Sequence, residues 1–466
     1  MNLENLVLSF EKKMREAGVR SSAISLFQHN FKRLFHGEKG FISESSLEPV
    51  GELPHWKSLS DETTAFLSQT VILKLNGGLG TSMGLERAKS LLPIKGEDTF
   101  LDFIIKQFLA LKCNYQISPK LCFLNSFSTS KDTVDFIAKN YPELGDATQF
   151  ELIQNKVPKI NAQTFEPIAW PKNPLLEWCP PGHGDLYAVL WDSGQLEQWL
   201  KEGLRYLFVS NADNIGATLD LKLLNYFAKN ALPFLMEVTS RTELDRKGGH
   251  LCRDQKTGQL QLRELAQCPE NDLDFFQNIN THRFFNTNNL WINLEALQFQ
   301  LKAGGGFLPL PFIANRKTVD PKDKTSPEVI QLETAVGSAL ACFEKASAVV
   351  VPRSRFAPVK TTSDLLLLRS DVYEVDSSYH LKLSASCQNQ LPLIILDKDH
   401  YQMMDDFDAH FSQALPSLVH CQSLTLQGPV RFEAGVSLKG HIVLSNPSTQ
   451  PKSLKRNVYS DQQITL

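Results

Sequence analysis

The amino-acid sequence predicts an α/β fold built around a largely parallel central sheet. Three observations carry that expectation. Val71-Ile72-Leu73-Lys74-Leu75, Lys120-Leu121-Cys122-Phe123-Leu124 and Tyr206-Leu207-Phe208-Val209-Ser210 are short apolar runs of the kind that form buried strands. A glycine-rich turn follows the first run, and then a helical stretch with Phe100, Phe103, Ile104, Gln107, Phe108 and Leu111 on one face. Polar loops stand at the carboxyl ends of the first and third runs, where open α/β sheets bind ligands.

The elements follow in order. Leu3, Leu6, Val7, Phe10 and Met14 recur at helical spacing with Glu11, Lys12, Lys13 and Arg15 opposite them, which predicts an amphipathic N-terminal helix. Residues up to about Ser68 are polar and punctuated by glycine and proline, so 1–68 reads as a helical N-terminal region with a loop-rich approach. The strand–turn–helix rhythm then runs from 69 to about 370, including a helix across Trp191 to Leu200. From 371 to 466 the texture changes. A helical patch near Phe407 to Leu415 precedes the alternation Leu424, Leu426, Val430, Phe432, Val436, Leu438, Ile442 and Leu444, broken by Gly428, Gly435 and Gly440. That spacing fits a few coils of a β-solenoid, and it fits an ordinary β-meander equally well.

With 466 residues the chain can bury more than one core. Its net charge of −3, with no basic stripe, argues against general nucleic-acid affinity. The eight cysteines form no CxxC pair and no zinc-spaced cluster, so they read as core thiols of a reducing compartment. No signal peptide and no apolar run near the ~20 residues of a membrane span is visible, so a cytoplasmic protein is expected.

Five constellations carry chemistry. Leu75-Asn76-Gly77-Gly78-Leu79-Gly80-Thr81-Ser82-Met83-Gly84 places four glycines within ten residues after a strand. Glycine lets backbone N–H groups approach phosphate oxygens, and a helix starting soon after would add its dipole. Read alone, the loop fits a tight strand-to-helix turn as well. Lys89 follows closely enough to reach a phosphate, and Lys95 competes for that role. Pro180-Pro181-Gly182-His183-Gly184-Asp185 is a stiffened loop that could set backbone against a flat base; a lone histidine fits a structural role equally. In Ser210-Asn211-Ala212-Asp213-Asn214, Asp213 suits either a Mg²⁺ ion bridging phosphates or a helix cap. Lys247-Gly248-Gly249, Asn286-Thr287-Asn288-Asn289 and Gln331-Leu332-Glu333-Thr334 offer the paired donors and acceptors that sugar hydroxyls need, though each alone reads as a turn or cap. Pro352-Arg353-Ser354-Arg355-Phe356-Ala357-Pro358-Val359-Lys360 carries fixed cations after an apolar strand, fit for phosphate or for a solvated loop.

Together these phrases occur in the order and wording of one family. LNGGLGTSMG, PPGHGD, NADN, FNTNNLW, IQLETA and PRSRFAPVKTTSDL resemble the eukaryotic-type UDP-glucose pyrophosphorylases from about residue 70 to the C-terminus. The resemblance implies a Rossmann-like nucleotidyltransferase core with a mixed, mostly parallel sheet, and a C-terminal left-handed β-helix. It implies UTP and glucose 1-phosphate as substrates, Mg²⁺ as cofactor, and no nucleic-acid or membrane partner. Leu75, Asn76, Gly77, Gly78 and Gly80 would hold the nucleotide, with Lys89 near its outer phosphates. Gln154 and the Gly182 backbone would recognise uracil. His183 would meet the sugar phosphate, and Asp213 would ligate Mg²⁺. Asn211, Gly249, Asn289 and Glu333 would surround glucose, and Lys360 would bridge the two substrates' phosphates.

The implied reaction is direct in-line attack without a general base. Two other readings stand beside it: a pyrophosphorylase of broader sugar choice, and a non-catalytic UDP-sugar-binding protein. The second should lack Lys89, Asp213 or Lys360, and all three are present. The segment Leu85-Glu86-Arg87-Ala88 and Arg246 depart from the family's wording. The C-terminal part is short, which leaves family-like homo-oligomerisation through a β-helix open.

Overall fold

The strand Thr70–Asn76 lies inside a ten-stranded sheet. In the computed structural model, which describes residues 2–387 and 391–466, it runs parallel to Tyr206–Asn211 on one side and to Lys120–Asn125 on the other. Glu151–Ile153 extends this parallel block. Beyond Tyr206–Asn211 the direction changes. Phe284–Asn293 inserts between Tyr206–Asn211 and Phe234–Ser240 and runs against both. His250–Asp254 and Leu47–Pro49 continue that antiparallel side. The sheet is therefore mixed rather than mostly parallel. An apolar run does not encode strand direction, because that depends on how the chain returns to the sheet.

Strand alternation feeds two cores. Val71, Leu73, Leu207 and Val209 face one core, covered by the helices Leu186–Asp192 and Leu294–Ala303. Ile72 and Phe208 face another, covered by Phe100–Tyr115 and Leu221–Lys229. Burial on both faces explains why these strands read as continuous apolar runs. The helix expected across Trp191 to Leu200 is two short helices, Leu186–Asp192 and Gln195–Lys201, with the chain turning at Ser193-Gly194 between them.

The N-terminal helix spans Leu3–Glu16 and pairs with a second, Ser21–Phe35. Their apolar stripes meet through Phe10, Phe27 and Phe31 and pack on Ile160, Phe312 and Leu332. At the other end, the helix Met404–Phe411 starts before the expected patch and stops short of Leu415. The strands Leu393–Leu396, Ser417–Gln427, Ser437–Ser445 and Val458–Thr465 then pair in parallel, and so do Val430–Phe432 and Lys452–Leu454. Successive strands of a meander run antiparallel, so that reading is overturned. The inward Leu424, Leu426, Ile442 and Leu444 share a core with Met83, Phe100 and Leu365. No described helix is long and apolar enough to cross a membrane. The eight cysteines are free thiols.

Candidate active site

The glycine loop leaves Asn76 at the carboxyl end of its strand and turns through Thr81–Met83 and Lys89–Leu91, both 3-10. The next α-helix starts only at Phe100, so the helix dipole expected at the loop is not supplied there. Lys89 N donates to Gly78 O at 3.1 Å, which folds the loop back and aims the lysine across it. Gly80 (φ +70°) packs on the Lys89 side chain, where a β-carbon would sit 3.2 Å from Cγ; it shapes the loop from behind rather than lining the cleft.

A cleft of about 270 Å³ opens in front of the loop. Leu75, Asn76, Gly77 and Gly78 form one wall. The Asn76 side chain points into the scaffold, donating to Asn125 Oδ1 at 2.8 Å and to Thr133 Oγ1 at 2.9 Å. Gln154, Gly182 and His183 form the second wall, and Asn211, Asp213, Lys89 and Lys360 form the third. Strand order brings these together: Asn211 sits beside Leu75 across the parallel pair.

The centre of the third wall is Asp213. Its Oδ2 accepts from Lys89 Nζ at 2.7 Å and from Lys360 Nζ at 3.2 Å. Its Oδ1 is buried without a partner. Burial alone would raise this carboxyl's pKa, but Lys360 and Lys89 together hold it below the ordinary carboxylate range. Asp213 caps no α-helix; the following helix is capped by Asp220. Lys95, the competitor of Lys89, donates to the carbonyls of Ser370 and Tyr373 at the end of the helix Thr362–Arg369, away from the cleft. A single carboxylate with a free buried oxygen suits Mg²⁺, which takes one or two carboxylates and completes its shell with water and phosphate oxygens.

Gln154 Nε2 donates to Gly182 O at 2.6 Å. Gly182 itself sits at φ +81°, ψ 165°, a region essentially closed to other residues. A β-carbon there would collide with the Thr334 carbonyl oxygen. Gly182→Ala is therefore expected to destabilise the fold by about 1–3 kcal/mol and to raise KM for the ligand of this wall, because the carbonyl that meets Gln154 must move. Thermal melting with substrate titration checks this; an unchanged KM would free Gly182 of its role.

His183 Nδ1 accepts from Val336 N at 2.8 Å, which leaves the proton on Nε2 as a donor for the cleft. Burial and then the Lys360 charge push its pKa down to about 4. The folded state therefore resists protonation between about 4 and the ordinary value of 6.5. In that window the unfolded chain binds more protons, so stability falls as pH drops through it. Wild type should lose more melting temperature between pH 6.5 and 5 than His183→Asn, which keeps an acceptor for Val336; equal losses would assign the pH dependence elsewhere.

Three residues that the resemblance places around the second ligand lie outside this lining. Asn289 is wholly buried and its amide is already spent, on Glu237 Oε2 at 3.1 Å and Arg355 O at 3.2 Å. The chain turns instead at Asn288 (φ +59°), whose Nδ2 donates to Asn211 Oδ1 at 2.8 Å while its Oδ1 is buried and unpartnered. Glu333 accepts from Asn315 and does not line the cleft. Gly249 is not in the lining either, but a β-carbon there would fall 2.5 Å from both Glu264 oxygens. It is the gap that lets Glu264 approach, and burial raises the pKa of that carboxyl against the opposing hydrogen bond from Asn286. Contacts thus run from Glu264 through Asn286 to Asn288, which meets Asn211. Sequence reading singled out neither Glu264, whose segment carries no motif, nor Asn288, the asparagine of the run that touches Asn211. Ser90, also missed, lines the cleft with a buried, unpartnered hydroxyl.

A glycine loop, two lysines on one carboxylate and a ring of buried amides at the carboxyl ends of sheet strands define a site of an α/β protein that handles phosphate and a polar second ligand. The family profile described as UTP–glucose-1-phosphate uridylyltransferase matches residues 24–439, and the chain belongs to that family. It is 40% identical over 409 residues to the uridylyltransferase of Solanum tuberosum, covering 87% of this chain and 82% of that one. The protein from Saccharomyces cerevisiae is 40% identical over 388 residues, covering 83% and 76%. Among solved structures, a point mutant of the Leishmania major UDP-glucose pyrophosphorylase in complex with UDP-glucose superposes with a TM-score of 0.96 at 45% identity, covering 100% of both chains.

Proposed function

We propose that this protein transfers a uridylyl group from UTP to glucose 1-phosphate, giving UDP-glucose and pyrophosphate reversibly. The observation that carries the reading is the meeting of Lys89 and Lys360 on Asp213 in front of the glycine loop. Family membership and the UDP-glucose complex of the Leishmania relative support it.

A phosphate oxygen of glucose 1-phosphate attacks the α-phosphorus of UTP. The bond from that phosphorus to the bridging oxygen breaks, and pyrophosphate takes the electron pair. The attacking group is already an anion, so no side chain has to remove a proton. The loop from Leu75 to Gly78 presents backbone to the triphosphate. Gln154 and the Gly182 backbone address the base edge, and the Nε2 proton of His183 addresses phosphate. Lys89 and Lys360 neutralise charge that grows at the reacting centre, the dominant contribution available to such a site. Asp213 would hold Mg²⁺ through Oδ1, and the ion would supply further charge neutralisation and alignment of the phosphates.

The C-terminal part, with its parallel strands stacked in chain order, fits coils of a left-handed β-helix, and we carry the division 1–68, 69–370 and 371–466 on that basis. A cytoplasmic location remains the reading that the free thiols favour. Purified protein with UTP, glucose 1-phosphate and Mg²⁺ should release pyrophosphate. A screen across sugar 1-phosphates and nucleoside triphosphates sets the specificity. No release from any pair would refute the reading, and galactose 1-phosphate on equal terms would broaden the substrate class.

A further inference from the structure

Outside the cleft, a buried ion pair stands behind the third wall. Glu237, in the strand Phe234–Ser240, has no exposed surface. Arg355 meets it in a fork, Nε to Oε2 and Nη2 to Oε1, both at 2.7 Å. Asn289 Nδ2 and Trp291 Nε1 complete the carboxylate's partners at 3.1 and 2.9 Å. Arg355 belongs to the segment that ends in Lys360, and its Nη2 also reaches Thr218 O at 2.9 Å.

Asn214 stitches the same segment to the turn that bears Asp213. Its Nδ2 donates to Arg355 O at 3.1 Å, and its Oδ1 accepts from Ala357 N at 2.9 Å. Asn214 and Pro358 form an isolated antiparallel bridge, and Val359 N donates to Asp213 O at 3.2 Å. Lys89 Nζ in turn donates to Val359 O. The backbone contacts that set the distance between Lys360, Lys89 and Asp213 therefore pass through a segment pinned at Arg355.

We propose that Asn214 and the Glu237–Arg355 pair are positioning residues, which fix the Pro352–Lys360 segment against the Asn211–Asn214 turn and so hold both lysines on Asp213. The inference rests on the uridylyl-transfer reading for its kinetic test alone. The Lys360 side chain is 60% exposed, and a long exposed side chain cannot fix its own direction. A buried ion pair adds little stability over apolar groups of the same shape, but it does fix geometry where both ends are forked. Turnover by charge neutralisation depends on that geometry, and misplacement by about 1 Å can cost on the order of 100-fold.

The decisive variant is Glu237→Gln combined with Arg355→Met, which removes both charges together and avoids leaving one buried alone. Glu237→Gln by itself should melt well below wild type. The double variant should recover melting temperature, yet its kcat should stay at least about tenfold below wild type with UDP-glucose affinity within about threefold. Asn214→Ala, which leaves the ion pair intact, should show the same split and decides the matter if the double variant fails to fold. Recovery of kcat together with stability, or normal turnover in Asn214→Ala, would overturn the proposal. A crystal structure of either variant reads the geometry without reference to any substrate. Displacement of Lys360 Nζ from Asp213 supports positioning, and an unchanged contact refutes it. Failure of the wild type to release pyrophosphate would instead fall on the uridylyl-transfer reading.

Discussion

Asp213→Ala should lower kcat by about 100- to 1,000-fold, the scale seen when one electrostatic group is removed from a reacting centre. The carboxylate has two jobs in the geometry. Oδ2 holds Lys89 and Lys360 together, and Oδ1 is the free oxygen available to a cation. Removing it leaves the Lys89 ammonium, whose side chain is only 13% exposed, without a counter-charge and beside that of Lys360. Stability should therefore fall as well, by a few kcal/mol at the scale of a broken buried pair. Bound triphosphate brings negative charge to the same lysines, so UTP should restore part of the melting temperature without restoring turnover. Asp213→Asn isolates the charge, because it keeps the shape. Pyrophosphate release with either variant near the wild-type rate would remove Asp213 from the chemistry.

Lys360→Ala should dissociate activity from stability. Its ammonium sits 3.2 Å from a largely buried Asp213, but most of the lysine side chain is in water, and that screening limits the pair to about 1 kcal/mol. Melting temperature should barely change. The kcat should still drop by about 100-fold if, as proposed, the same ammonium neutralises charge that appears only as the phosphorus centre reacts. A rise in KM alone, with kcat intact, would show that Lys360 binds ground state and transition state equally. The paired outcomes separate the two residues: Asp213 matters to fold and chemistry, Lys360 to chemistry.

Much of the site was legible in the chain because its signals are local. Four glycines after a strand announce a turn where backbone can meet phosphate, whatever surrounds it. Alternation in the C-terminal part announced short strands, although their parallel pairing needed the tertiary structure. The two lysines following the loop could not be separated by sequence. Lys89 reaches Asp213 because the loop folds back at Gly78, whereas Lys95 is drawn to the carbonyl of Ser370, which ends the helix Thr362–Arg369, and to that of Tyr373 just beyond it.

The sequence by itself determined the apolar strands, the glycine loop that ends one of them, and the family to which these phrases belong, since each rests on adjacent residues. Only the tertiary structure decided what lies across from them. Phe284–Asn293 enters the sheet antiparallel between two distant strands, and that insertion fixes which asparagine meets Asn211. Asn289 shares a face with Trp291 and turns to Glu237; Asn288, in a left-handed conformation, turns to Asn211. Glu264 comes close to the loop before the strand His250–Asp254 only because Gly249 leaves room for its carboxylate. Side-chain facing depends on strand parity, bulges and partners far along the chain, and local sequence does not carry those.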